Sequence, residues 1–375
     1  MTTATTISPI ELDDRLTFLS RLLFNDSRSN GVSQDALSAG QEGLEISNLS
    51  PEEFDATLAL ADSNHVTMRA IKVFRQAMQA ANDQTRARWA EDALQREGAR
   101  ITNALSFLRT ICDALDSAGC NPVVIKSLDH WPDLGSDLDL YTDAEPTAVI
   151  RVMRERFGAQ IAARSWGDRL AKKWNFVVPG LPESVEIHMR RLGQTGEQVA
   201  LARSLAARAR TVKIGEYTFR VTSAEHRIMI STLQRMYRHF YIRLCDIVDT
   251  AELVEQKIID YEELRSAASA GGIWGGVATY LSLVSEYVLS YRGEGLDLPP
   301  SVLQSASFGT DLIRFRRDFL RVPILPQSAR LYRSELATLL RQGELRNTAR
   351  LSLLPCLATA AAVGMKVTGS DKGIW

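Results

Sequence analysis

The chain has 375 residues, of which 45% are hydrophobic and 24% charged, an ordinary globular composition that allows one large domain or two to three small ones. With 44 Lys plus Arg against 45 Asp plus Glu, the net charge is -1. That excludes a basic field over the whole protein, and with it wholesale coating of nucleic acid, while leaving a local basic patch open. Cys112, Cys120, Cys245 and Cys356 form no CxxC pair and no zinc spacing, so they are expected to be reduced, mostly buried thiols, in keeping with a cytoplasmic protein. The first ten residues lack a basic segment followed by an apolar run, so no signal peptide is expected. The apolar stretch Leu351 to Met365 is interrupted by Pro355 and Gly364 and falls short of the ~20 residues that cross a bilayer. It reads as a buried or surface-docked helix, with no membrane span.

In chain order, residues 10–25 suit a short amphipathic helix, and 27–50, rich in Ser, Asn, Gly and Gln, a linker. Ser50-Pro51-Glu52-Glu53 carries a capping box and a first-turn proline, predicting helices to about Ala81. From about Thr85 to Ser117, Leu94, Ile101, Leu105, Leu108, Cys112 and Leu115 form one apolar stripe of a long helix, which Gly119 is placed to end. Val123-Val124-Ile125 predicts a short strand, residues 137–141 a second, and 147–157 a helix stopped at Gly158. Two hairpins follow: 174–178 with 184–189 across Pro179-Gly180-Leu181-Pro182-Glu183, and 211–214 with 217–221 across Gly215-Glu216. From Ser223 the pattern is helical to at least Ser290, and Leu298-Pro299-Pro300 breaks it. The expected fold is α+β: a small mixed sheet with helical flanks, divided into an N-terminal segment (1–50), a helical region (51–118), a catalytic core (119–222) and a C-terminal helical domain (223–375).

The segment richest in chemistry runs from Lys126-Ser127 to Ser136-Asp137-Leu138-Asp139-Leu140. Strand side chains alternate faces, so Asp137 and Asp139 share one face and Leu138 and Leu140 the other. Neighbouring carboxylates repel unless a cation lies between them, and a divalent metal meets that need. A second strand repeats the alternation, with Val185, Ile187 and Met189 against Glu186, His188 and Arg190. Laid beside the first, it makes Glu186 a third carboxylate, enough to hold two metals, one activating the attacking oxygen and one stabilising the leaving phosphate. No P-loop, GxGxxG, GxSxG or HExxH pattern competes.

Ile125-Lys126-Ser127, then Asp137-Leu138-Asp139-Leu140, then Val185-Glu186-Ile187-His188 resemble the DNA polymerase β-like nucleotidyltransferase superfamily, in particular its uncharacterised bacterial branch. That branch carries a Leu-Lys-Gly turn, an Asp-x-Asp-Leu strand and a Glu/Asp-Leu-His strand. Phe54 to Val73 and Tyr241 to Asp246 are similar to its flanking helices, so roughly residues 50–300 are covered. The chain departs from the pattern at the turn, where Lys126-Ser127 occupies the slot that carries Gly-Ser in the superfamily or Lys-Gly in the branch, so the turn glycine is missing; glycine there lets backbone approach phosphate closely.

The resemblance implies transfer of a nucleoside monophosphate from an NTP, ATP foremost, to a small-molecule or peptide acceptor, with Mg²⁺ or Mn²⁺ as cofactor and pyrophosphate released. Asp137, Asp139 and Glu186 are the expected metal ligands and catalytic groups. Lys126, Ser127, Ser136, Lys173, Arg190 and Arg243 are assigned to the nucleotide, although Lys126 reads equally as a surface lysine. Arg235, His239, Arg243 and Asp246 share one face if helix continues through them. That face either lines the cleft or is a salt-bridged surface. His188, Arg235 and Asp246 are assigned to the acceptor side or to support of the carboxylates. Trp166, Trp174 and Trp274 read as core. Nucleic acid is disfavoured as acceptor. A toxin-like modifier of tRNA or protein, and a non-catalytic nucleotide-binding protein, stay open as alternatives.

Overall fold

A computed structural model describes residues 14–25, 49–316, 318–357 and 359–360. The linker expected before Ser50 and the apolar stretch beyond residue 360 lie outside them. The chain forms two compact units, each assembled from non-consecutive segments. The first comprises residues up to Arg100 with His239–Ile258 and Ala278–Ser328; the second comprises Ile101–Arg238, Ile259–Val277 and the chain from Ala329 onward.

The helices begin and end where the local chemistry dictates. After α1 (Asp14–Asn25), α2 (Pro51–Ser63) starts at Ser50, whose side chain accepts from the Glu53 amide while Glu53 reaches back to the Ser50 amide. That is the capping box expected from the sequence. α3 (Thr67–Ala80) follows, and Phe54, Phe74 and Trp89 form a ring cluster with centroids 5.3 and 5.8 Å apart. α4 (Gln84–Ser117) is the long helix, followed by Gly119 at φ +72°.

The second unit holds a seven-stranded mixed sheet in the order β3-β4-β5-β2-β1-β7-β6. Its strands are β1 (Val123–Val124), β2 (Asp137–Thr142), β3 (Gln160–Ile161), β4 (Lys173–Val177), β5 (Ser184–Met189), β6 (Arg210–Ile214) and β7 (Tyr217–Val221). β4–β5 and β6–β7 are the two antiparallel hairpins. β2 runs antiparallel to β1 and parallel to β5. Helix α5 (Pro146–Phe157) closes on Gly158 in the left-handed region, α6 (Trp166–Ala171) precedes β4, and α7 (Val199–Ala207) precedes β6. One face of the central strands is fully apolar: Leu138, Leu140, Val185, Ile187 and Met189 are all buried.

Beyond β7 the structure differs from the continuous helical pattern expected there. α8 (Ala224–Thr232) leads into a wider helical turn, Leu233–Arg238. Phe240 then takes φ +54°, and β8 (Tyr241–Ile242) pairs with a distant strand. Helix resumes with α9 (Leu244–Glu255), α10 (Tyr261–Ala270), α11 (Trp274–Arg292) and α12 (Pro300–Ser305). In the first unit β8, β10 (Phe319–Arg321) and β9 (Arg314–Arg316) form a small antiparallel sheet. α13 (Ala329–Arg341) and α14 (Leu345–Leu351) belong to the second unit, where Leu351 and Leu354 pack with Leu339. Cys112, Cys120 and Cys245 are buried free thiols, Cys356 is exposed, and no helix among the described residues is long and apolar enough to cross a membrane.

The second unit also buries an acidic pair, Glu197 and Glu335. Glu197 folds back to accept from the Gln194 and Thr195 amides at 2.9 and 2.8 Å. Gly193 makes that turn possible, because a Cβ there would fall 2.1 Å from Glu197 Oε1. Glu335 on α13 accepts from Gln198 Nε2, while its other oxygen is buried without a hydrogen-bond partner. Burial first, and the Glu197 charge second, push the Glu335 carboxyl well above its ordinary range. A carboxyl raised in the fold contributes stability while protonated, fully so below its unfolded pKa, and loses it as pH rises through the folded value. Glu335→Gln, a fixed neutral counterpart, should therefore raise the melting temperature at pH 7–8, by about 2–4 °C for each kcal/mol of relief. The advantage should close below about pH 4. Thermal melts of both proteins across pH 4–8 test this; a variant less stable than wild type at pH 8 would contradict it.

Candidate active site

The candidate site follows from the β2–β5 register. These strands pair in parallel with Asp139 opposite Glu186 and Tyr141 opposite His188. Alternation turns Asp139, Glu186 and His188 to the face opposite the apolar core, and the carboxylate and imidazole ligand atoms of these three lie within 4.8 Å of one another. Asp137 shares the Asp139 face one pleat earlier and keeps an exposed surface, with Ser136 exposed beside it.

Two lysines reach into this cluster. Lys126 Nζ contacts Asp139 Oδ1 and stands 3.2 Å from Glu186 Oε1. Lys173 Nζ is 2.9 Å from Glu186 Oε2 and 2.9 Å from Asp168 Oδ1. His188 Nε2 lies 2.7 Å from Glu186 Oε1 and 3.8 Å from Asp139 Oδ1, while its Nδ1 is buried without a partner. Burial alone would drive Lys126 towards neutrality, but Asp139 and Glu186 outweigh it and raise its pKa. Burial would likewise raise Glu186, yet Lys126, His188 and Lys173 hold it well below the usual carboxylate range. Asp137 goes the other way: the atoms crowding its carboxyl, then the charges of Asp139 and Glu186, push it up to about 6.

The turn before the site explains the missing glycine. Lys126 itself takes φ +60°, the left-handed region, and the Ser127 amide donates back to the Ile125 carbonyl at 2.6 Å. This is a tight three-residue turn of the strained hand. Ser127 is buried, and its hydroxyl accepts from the Asp139 amide at 2.7 Å and donates to the Asp137 carbonyl at 3.1 Å. Its hydroxyl thus ties the turn to β2 and holds the Asp137–Asp139 backbone in place.

Other assignments land elsewhere. Lys173 is buried between two carboxylates, and Arg190 pairs with Glu145 and donates to the Asp143 carbonyl at 2.7 Å. Arg235, His239, Arg243 and Asp246 do not share a helix face, because helix stops before Phe240 and restarts after Arg243. Arg235 is buried in the second unit. In the first unit Arg243 lies over the Tyr241 and Phe319 rings, its backbone amide capped by Asp246 at 2.8 Å. Trp166 is 63% exposed rather than core. Sequence reasoning missed Asp168, which anchors Lys173. Its signal was the Ser165-x-x-Asp168 capping box at the start of α6. It also missed Gln194, Gln234 and Arg238, which with Ile125, Lys126 and His188 line a cleft beside the cluster.

Two carboxylates and an imidazole converge in one corner on a mixed sheet, a set of groups that could hold a cation. Residues 50–288, more than half the chain, match the model of the uncharacterised nucleotidyltransferase family, and the chain belongs to that family. No curated protein matches the chain.

Because the raised Asp137 carboxyl costs stability once ionised, Asp137→Asn should raise the melting temperature of the metal-free protein at pH 7.5. The gain should shrink as pH falls through about 6 and vanish below the ordinary value of 3.8. Melts of both proteins with chelator across that range test the sign; a loss of stability at pH 7.5 would contradict it.

Proposed function

We propose that this nucleotidyltransferase is a divalent-metal enzyme of the DNA polymerase β-like kind. It would pass the NMP of an NTP, ATP foremost, to a small-molecule or peptide acceptor and release pyrophosphate. The observation that carries the reading is the parallel β2–β5 register, with Asp139 opposite Glu186 and Asp137 one pleat away. The donor set suits the proposed ion: hard carboxylate oxygens, with the His188 imidazole beside them.

Asp137, Asp139 and Glu186 would hold the ion. When bound, it supplies charge neutralisation to the triphosphate and a lowered pKa to the attacking group. The protein's own groups do the remainder. Ser127 fixes the backbone that aims Asp137 and Asp139. His188 orients Glu186 through Oε1, and this hydrogen-bonded pair is the proton acceptor for the incoming nucleophile. Lys173, anchored by Asp168, keeps Glu186 ionised and fixed in place as a ligand. Arg238, in the adjoining cleft, is the cation best suited to a phosphate oxygen. Nucleotidyl transfer is mostly positioning and charge neutralisation, which these groups supply. A small acceptor accords with the balanced charge of the chain, since a long polynucleotide demands several simultaneous phosphate contacts.

Incubation of the protein with each NTP, Mn²⁺ or Mg²⁺ and a metabolite extract should yield a product heavier by one nucleotide, read by mass spectrometry. Asp139→Asn should reduce transfer by about 10²–10³-fold, the worth of several kcal/mol of metal stabilisation, with circular dichroism unchanged. Glu186→Gln should lower kcat far more than it raises KM for the NTP. Undiminished turnover in Asp139→Asn would remove the metal assignment. Transfer to tRNA with a steep salt dependence would replace the small acceptor by RNA.

A further inference from the structure

The carboxylate site already contains a cation, and it is a lysine. The Lys126 ammonium sits against Asp139 Oδ1 and Glu186 Oε1 with only 14% of its side chain exposed. Those carboxylates, with His188, are the groups that converge as a ligand set. An ammonium and a divalent ion compete for the same lone pairs, and the corner holds one of them at a time. We propose that Lys126 is a tethered counter-ion that closes this site in the nucleotide-free protein and must leave the carboxylates before a metal enters. It thereby sets metal affinity and favours arrival of the ion together with a nucleotide. The proposal rests on the metal-dependent reading above.

Three features support it. The backbone at Lys126 is held at φ +60° by a two-residue hydrogen bond, a conformation uncommon for a side chain of this size. Such outliers cluster where a switch or clamp operates. Second, Glu186 keeps Lys173 when Lys126 departs, whereas Asp139 loses the ammonium described beside it and is left with the His188 ring, 3.8 Å away. An incoming divalent ion makes good that single loss with twice the charge. Third, the cleft lined by Gln194, Leu233, Gln234 and Arg238 opens beside Lys126, giving a flexible side chain somewhere to go. A triphosphate there offers the displaced ammonium a new anion.

The test measures Mn²⁺ binding by electron paramagnetic resonance to the full-length wild-type protein, Lys126→Gly, Lys126→Gln and Asp139→Asn, without nucleotide and then with a non-hydrolysable ATP analogue. Glycine accepts φ +60° without strain, so Lys126→Gly removes the ammonium and keeps the turn. Expected are Mn²⁺ affinities about tenfold or more tighter in the charge-free variants than in wild type, and no binding in Asp139→Asn. The analogue should tighten Mn²⁺ binding in wild type more than in Lys126→Gly. Melting temperatures should move the same way, with Lys126→Gly destabilised by chelator and restored by Mn²⁺. If Lys126→Gly and Lys126→Gln bind no more tightly than wild type while Asp139→Asn loses binding, the counter-ion proposal fails and the metal site stands. If no form binds Mn²⁺ with or without the analogue, both fall.

Discussion

The second unit is organised around one electrostatic requirement. Pairing β2 with β5 in this register brings Asp139 and Glu186 side by side below the surface, and buried like charges do not coexist without cations. Much of the local structure answers that demand. Lys126 is bent into the left-handed region, so that the chain turns at the site where its ammonium meets Asp139 and Glu186. Lys173 is drawn in from β4, and Asp168, fixed by its capping role on α6, anchors Lys173 in turn. The charges do not fully cancel. Counting Asp137 at the edge of the same face, four carboxylates meet two lysines, and crowding of the Asp137 carboxyl first, then the charges of Asp139 and Glu186, raises it.

What was legible in the sequence follows from which forces are local. Period-two alternation in Asp137–Leu140 and Val185–Arg190 fixes faces, and the Pro-Gly connection joins β4 to β5 as a hairpin. Three carboxylates on one polar face could therefore be read without coordinates. Helix boundaries with chemical markers, such as the Ser50 capping box and Gly158, were equally readable. The partner of each carboxylate was not, because alternation says nothing about which lysine a buried anion draws in. Lys126 and Lys173 read as phosphate contacts, and in the structure each pairs with protein carboxylates, a pairing that alternation does not foretell.

The break after Arg238 was illegible for a different reason. Leu233, Met236, Tyr237 and Phe240 continue an apolar helical period, and no Gly or Pro interrupts them. What ends the helix is a pairing with Phe319–Arg321, nearly eighty positions away in the chain. Short strands joined at such separation leave almost no local signature. Arg243 and Asp246 consequently share no continuous helix face with Arg235; Asp246 caps the Arg243 amide and Arg243 lies over the Tyr241 ring.

The glycine slot shows how a departure from a family pattern is to be weighed. Read as composition, a Lys126-Ser127 turn without glycine argues against a phosphate-cradling turn. Read as conformation, the turn survives, since Lys126 adopts the φ that glycine would supply and Ser127 holds the strand behind it. Left-handed backbone costs a non-glycine residue roughly 1–2 kcal/mol, and the two ion pairs of the ammonium stand against that cost. Buried ion pairs add little net stability once desolvation is counted, although breaking one is severe. The arrangement is therefore better understood as a constraint on what can occupy the site than as a source of fold stability. Because one residue supplies both the bend of the backbone and the charge in the corner, the shape of the turn and the occupancy of the carboxylates change together.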